Sequence, residues 1–160
     1  NKRKYFNEEV ADIYVKSSKL KGIKCKRKFI ITAIDDLTAV WVACSLAKGK
    51  SYFSGKELLE LKVKESDRIT EICKNFKRFN IKTHSTNSSL MIEGNSKITT
   101  NKLIKIPKVL DHRIIICMHV LANVTGCKVL INGYEAVATS FPNFLKMQKK
   151  LGAKNYEIKK

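Results

Sequence analysis

The sequence predicts an α/β protein assembled from repeated β-α-β-α-β-β units, and three observations carry that prediction. Runs of β-favouring residues alternate with runs whose apolar residues recur at helical spacing. Several helical runs open on Asp or Ser and close on Gly or Asn. A polar turn at Thr86–Ser89 lies between two short β-rich runs, the pattern of a hairpin.

The elements follow in order. Val10 to Ser17 and, after Gly22, Ile23 to Thr32 are rich in β-branched residues and are expected as strands. Asp35 and Asp36 precede Leu37 to Leu46, where Leu37, Val40, Trp41, Cys44 and Ala47 mark one helical face and Gly49 closes the segment. An acid at that position is expected to take free backbone N–H groups of the first turn. Lys50 to Phe53 reads as a strand, and a second helix is expected from near Lys64 to Asn80, with Ile69, Ile72, Cys73, Phe76 and Phe79 inward. Ile81 to Thr83 and Leu90 to Glu93 form the hairpin strands. A Lys- and Thr-rich connection then leads past Pro107 to a third helix at Asp111-His112-Arg113, burying Ile115, Ile116, Met118 and Val120 and ending at Gly126. Val129 to Ile131 is expected as a strand, Pro142 to Leu151 as a helix capped by Ser140, and Ile158 as part of a last strand. The order gives one whole unit and most of another, the second without its opening strand.

At 160 residues and 44% hydrophobic content the chain is long enough to bury one core. It begins at Asn1, and Asn1 to Phe6 has no signal-peptide character, so the start is read as internal. The longest apolar run, Leu37 to Ala47, is broken by Thr38 and Ser45 and is shorter than the roughly 18 residues that span a bilayer. No membrane association and a cytoplasmic location are expected. Five cysteines without C-x-x-C spacing fit reduced thiols, and Cys44, Cys73 and Cys117 fall inside helical patterns, where cysteine acts as a small hydrophobe. The charge of +18 attracts anions of some kind, but only five of 32 basic residues are arginine. Dispersed lysine reads as solvated surface, which makes nucleic acid an unlikely partner.

Charged residues gather at the helix starts: Asp35-Asp36, Lys64-Glu65-Ser66-Asp67-Arg68 and Asp111-His112-Arg113. A helix N-terminus flanked by Lys or Arg suits a phosphate or carboxylate, so an anionic small molecule is the expected ligand. For any one of these helices, ordinary capping by Asp67 or Asp111 with solvated cations is the better explanation; three such starts together weaken it. His84 and His119 lack partners at metal-ligand spacing, no Ser-His-Asp arrangement is recognisable, and no Gly-rich phosphate loop occurs, so no metal, covalent or nucleotide site is expected.

Leu61-Lys62-Val63-Lys64-Glu65-Ser66-Asp67-Arg68-Ile69 resembles the L-R-V-K-E-S-D-R-I signature of the EPSP synthase family of enolpyruvyl transferases. Val10-Ala11-Asp12-Ile13, Ser17 to Gly22, Ile34-Asp35-Asp36-Leu37, Asp111-His112-Arg113-Ile114 and Ala138-Thr139-Ser140-Phe141-Pro142-Asn143-Phe144 support the resemblance in the same order, over nearly the whole chain. It implies a two-lobed fold of repeated β-α-β-α-β-β units, with residues 1–160 forming an incomplete C-terminal lobe. The implied activity moves the enolpyruvyl group of phosphoenolpyruvate to the 5-hydroxyl of shikimate 3-phosphate, through a tetrahedral adduct, with release of phosphate and without a cofactor. By the same resemblance Asp35 binds shikimate 3-phosphate and acts as base, Lys64 holds its phosphate, and Glu65 serves in proton transfer. Arg68 and Arg113 clamp the phosphoenolpyruvate carboxylate, and His112 lines the same site.

Lys62 departs from the signature's arginine, and Thr139 stands where some members carry a phosphate-binding lysine. The other lobe's substrate contacts have no counterpart here, so catalysis is expected to need that lobe, within the same polypeptide or on a separate chain. Two other readings stand beside this one: a folded, non-catalytic remnant, marked by exposed apolar surface, and a basic nucleic-acid-binding module, marked by salt-dependent oligonucleotide affinity.

Overall fold

The computed structural model describes residues 2–95 and 97–153. It opens with an antiparallel hairpin, β1 (Lys2–Tyr5) and β2 (Glu8–Ala11), whose residues are almost all exposed. Only Val10 and Ala11 of the expected Val10–Ser17 strand are in it. The rest of that run, including Ile13, Tyr14 and Val15, each 86% exposed, has no ladder partner among the described residues. β-propensity alone does not hold a strand where no neighbouring edge pairs with it.

The expected strand Ile23–Thr32 divides in two. Residues 21–25 run parallel to β3 (Gly49–Ser54) through bridges Lys21–Lys48 and Lys24–Tyr52, with Tyr52 N–H donating to Ile23 C=O at 2.7 Å and Cys25 N–H to Tyr52 C=O at 2.8 Å. From Arg27 the chain turns into a helix, α1 (Arg27–Thr32). Ile30 is fully buried there while Phe29 and Ile31 on either side stay largely exposed, so burial selects one residue per turn and overrides β-branched propensity. Gly22 permits the strand-like approach, because a Cβ at that position would lie 2.2 Å from the Lys50 carbonyl oxygen. Gly22→Ala is expected to lower stability by about 1–3 kcal/mol, the usual cost of overpacking, measured by urea denaturation.

β3 pairs antiparallel with β5 (Ser89–Gly94), which pairs antiparallel with β4 (Lys82–Thr86), giving the order β3-β5-β4. The inward residues Phe53, Leu90 and Ile92 meet Trp41 of α2 (Leu37–Ser45) and the apolar face of α3 (Arg68–Arg78). That face is Ile69, Ile72 and Phe76, continued by Phe79 beyond the helix end, at the spacing read from sequence. α3 begins at Arg68, with the Asp67 side chain accepting from Thr70 N–H at 3.0 Å. A helix starting near Lys64 is therefore corrected: Lys56–Lys62 is a 3-10 turn, and Lys64 and Glu65 lie in the loop between it and α3.

The connection before the third helix is also corrected. Ile104–Ile106 is a strand, β6, parallel to β7 (Val129–Ile131), and α4 (His112–Thr125) joins them. The second unit thus has its opening strand. α4 buries Ile114, Ile115, Cys117, Met118, Leu121 and Ala122, leaves Ile116 and Val120 half-buried, and ends on Gly126 at φ 70°. A second 3-10 turn, Tyr134–Thr139, precedes α5 (Phe144–Lys150), whose N-terminal flank is Asn143 rather than Ser140. The strand expected around Ile158 lies outside the described residues. All five cysteines are free thiols, and burial pushes the Cys117 thiol up to about 11.

His119 on α4 packs against Phe144 and Tyr134, and desolvation lowers its pKa to about 4 from an ordinary value of 6.5. A depressed folded-state value means that the unfolded chain binds the proton first. Stability is expected to fall as pH drops from 6.5 towards 4, by up to about 3 kcal/mol, and to show no further His119 contribution below that. Denaturant titrations at stepped pH should show this slope flattened in His119→Gln.

Candidate active site

Arg68, the first residue of α3, is only 1% exposed although it carries a permanent charge. Its neighbours explain how it is held. Nε donates to Asp111 Oδ2 at 2.8 Å, Nη1 to Asp35 Oδ1 at 3.0 Å, and Nη2 to Glu65 Oε2. Each guanidinium nitrogen therefore meets a carboxylate from a different segment: the start of α4, the turn before α2, and the loop before α3. Burial works against the Arg68 charge, but hydrogen bonding and attraction from Asp111, then Asp35 and Glu65, outweigh it and raise its pKa.

Asp111 is fully buried and links two roles. Oδ1 accepts the backbone N–H of Arg113 at 3.0 Å, capping α4, while Oδ2 accepts from Arg68 and from Ser66 Oγ at 3.0 Å. The reading of Asp111 as a cap holds, but the same carboxylate also anchors Arg68, and with Ser66 it is absent from the sequence-derived site. A helix-capping acid needs no charged partner, so the pattern Asp-His-Arg carries no mark of the Arg68 contact; only its complete burial does.

Asp35 was expected to cap α2 together with Asp36. Neither side chain does so: α2 has no side-chain cap at Asp36, and the Asp35 carboxylate faces Arg68 and the Lys64 ammonium, 3.5 Å away. Two cations attract a carboxylate more strongly than a backbone N–H does. The Arg68 hydrogen bond holds the Asp35 carboxyl below its ordinary range; partial burial opposes this, and Lys64 and Arg113 reinforce it. Arg113, in the first turn of α4, donates from Nη1 to the Asp35 carbonyl at 2.8 Å and approaches Asp36 Oδ1 at 3.4 Å.

Asp35, Lys64, Glu65, Arg68 and Arg113 thus come together, from positions up to 78 residues apart. Asp35 and Arg113 open onto a cavity of about 270 Å³ also lined by His112, Asp36, Ser140 and Phe141. His112 shares the cavity without a hydrogen bond to the cluster. Half-exposed Asp35 and Glu65 and one-third-exposed Lys64 leave one side accessible to a ligand, while Asp111 and Arg68 form a fixed floor. Among the described residues no group of three or more His, Cys, Asp or Glu is placed to hold a metal ion, and no helix is long and apolar enough to cross a membrane.

The family model described as EPSP synthase (3-phosphoshikimate 1-carboxyvinyltransferase) matches residues 3–147, a span that contains every residue of this cluster. The chain belongs to the EPSP synthase family. Among its relatives, the 3-phosphoshikimate 1-carboxyvinyltransferase of Geobacter metallireducens is 31% identical over 154 residues, covering 96% of this chain and 35% of that protein. The one from Clostridium tetani is 41% identical over 139 residues, covering 86% and 31%. A solved EPSP synthase from Acinetobacter baumannii superposes with a TM-score of 0.80 at 34% identity, covering 96% of this chain and 35% of that one. The chain spans about a third of the length of the EPSP synthases it matches, and its mixed α/β architecture is that of a partial lobe of their fold.

Proposed function

We propose that residues 1–160 form most of the C-terminal lobe of a cytoplasmic EPSP synthase, which transfers the enolpyruvyl group of phosphoenolpyruvate to the 5-hydroxyl of shikimate 3-phosphate and releases phosphate. The observation that carries this reading is the convergence of Asp35, Lys64, Glu65, Arg68 and Arg113 into one ion-pair cluster, which borders an open cavity through Asp35 and Arg113, in a chain of that family.

The roles are those the family resemblance implies, and the geometry supports them. Asp35 is ionised and accessible, so it can accept the proton of the attacking hydroxyl. Its three cationic neighbours keep its proton affinity low. A substrate carboxylate or phosphate that engages Arg113 and Lys64 offsets their charge beside Asp35 and raises its basicity when the hydroxyl is in place. Arg113, one-third exposed, is the more accessible anion clamp, whereas Arg68 reaches a ligand through Nη1 only as Asp35 yields. Lys64 holds the sugar phosphate, Glu65 moves a proton, and His112 lines the cavity.

The cluster holds four carboxylates, Asp35, Asp36, Glu65 and Asp111, against three cations, Lys64, Arg68 and Arg113, so the +18 charge of the chain is not concentrated there. Two polyanionic substrates need further cations, which the complementary two thirds of the enzyme supplies, in the same polypeptide or on a separate chain. Binding of shikimate 3-phosphate to this chain alone is therefore expected to be weak, with Kd on the order of 1 mM, and lost in Lys64→Ala. Calorimetry at low and high salt tests this. Binding that survives Lys64→Ala, or none at millimolar ligand, would remove the assigned half-site.

A further inference from the structure

A second cavity, of about 380 Å³, opens at the other end of α3 and is lined by Arg78, Asn80, Thr100, Lys102, Leu103, Ile104 and Lys105. Arg68 begins α3 and Arg78 ends it, so the two sites lie about 15 Å apart along the helix axis. Three cations line this cavity and no acid does. Arg78, Lys102 and Lys105 form no ion pair with any described residue, although ten such pairs occur among the described residues.

The carbonyls at the C-terminus of α3 attract a basic residue such as Arg78, but Lys102 and Lys105 belong to a different segment and have no such reason to gather there. Uncompensated cations converging on one concavity raise the local potential and concentrate anions. Neutral donors accompany them. Asn80, held at φ 58° where α3 ends, offers its amide, and Thr100 its hydroxyl. The backbone adds one more: the β6–β7 ladder uses Ile104 N–H to Lys128 C=O and Asn132 N–H to Ile106 C=O. In a parallel pair the residue between them, Lys105, turns its N–H to the opposite, open edge.

We infer that this cavity is a second anion site, separate from the Asp35 cluster, which takes a small phosphate-bearing ligand through Arg78, Lys102 and Lys105. Its volume lies in the range of small-molecule sites.

The test is an NMR titration of the chain with pyrophosphate, following backbone amides. Saturable shifts are expected at Arg78, Thr100, Lys102 and Lys105. The exposed double variant Arg78→Gln/Lys105→Gln, its fold checked by the same spectrum, should raise Kd at least about tenfold by removing two charge-assisted contacts. Lys64→Gln should leave this Kd unchanged within about twofold, because that residue belongs to the other site. Unchanged affinity in the double variant, shifts confined to Asp35, Lys64 and Arg113, or unsaturable shifts spread over the lysines would overturn the proposal. A single-stranded oligonucleotide that displaces pyrophosphate at equimolar concentration while shifting amides across β4 and α1 would overturn it too, in favour of an extended nucleic-acid surface.

Discussion

Asp111→Ala is expected to lower the folding stability of this chain by about 3–5 kcal/mol, the cost of leaving a buried charge without its partner. Three interactions end with that one carboxylate: the cap on α4, the Ser66 hydroxyl bond and the 2.8 Å contact to Arg68 Nε. Arg68 cannot move into water to compensate, because it is 1% exposed and begins a helix whose next face is core. Asp35 and Glu65 still touch its outer nitrogens, but both are about half-exposed and their attraction is diluted by solvent. Asp111→Asn keeps an acceptor for the Arg113 N–H and is expected to lose less. The double variant Asp111→Ala/Arg68→Met removes the unpaired charge along with its partner and should recover a substantial part of the loss. Urea midpoints of the three variants decide the matter. A single variant within about 1 kcal/mol of the parent, or a double variant no more stable than Asp111→Ala, would show that the pair is not an anchor.

The helices were legible because their burial is periodic. Ile69, Ile72, Phe76 and Phe79 needed only the 3.6-residue repeat, and Gly126 only the need for a left-handed C-terminus. What was not legible depends on neighbours distant in sequence. β6 has three residues, Ile104-Lys105-Ile106, too few to establish alternation, and exists because β7 pairs with it. Ile23–Thr32 looks like one strand, yet only its first residues find an edge, on β3, and the remainder winds so that Ile30 alone is buried. The site shows the same division. The charged helix starts pointed to Asp35, Lys64, Arg68 and Arg113, but propensity gave Asp35 to its own helix, while in the fold a guanidinium 33 residues away takes its carboxylate. Ile13, Tyr14 and Val15 are exposed apolar surface, which a lobe without its neighbour and a folded remnant would both show.

Asp35→Asn is expected to reduce turnover by about 10²–10⁴-fold in an enzyme that carries this chain in place of the matching third of a relative, such as the Clostridium tetani protein at 41% identity. The substitution keeps the size of the side chain and an oxygen facing Arg68 Nη1, so the cluster stays folded, but it removes the charge proposed to accept the hydroxyl proton. Its effect should therefore fall on kcat, with KM for phosphoenolpyruvate little changed, since Arg113 keeps its contact to the backbone carbonyl of residue 35. Arg113→Gln should show the opposite division, raising that KM because it removes an anion clamp from the cavity. Phosphate release under steady-state conditions measures both. If the parent chimera folds but releases no phosphate, the proposed activity is wrong; if Asp35→Asn turns over within about threefold of the parent, the activity stands and the proton acceptor is another group, with Glu65, the other half-exposed carboxylate on Arg68, the next to substitute.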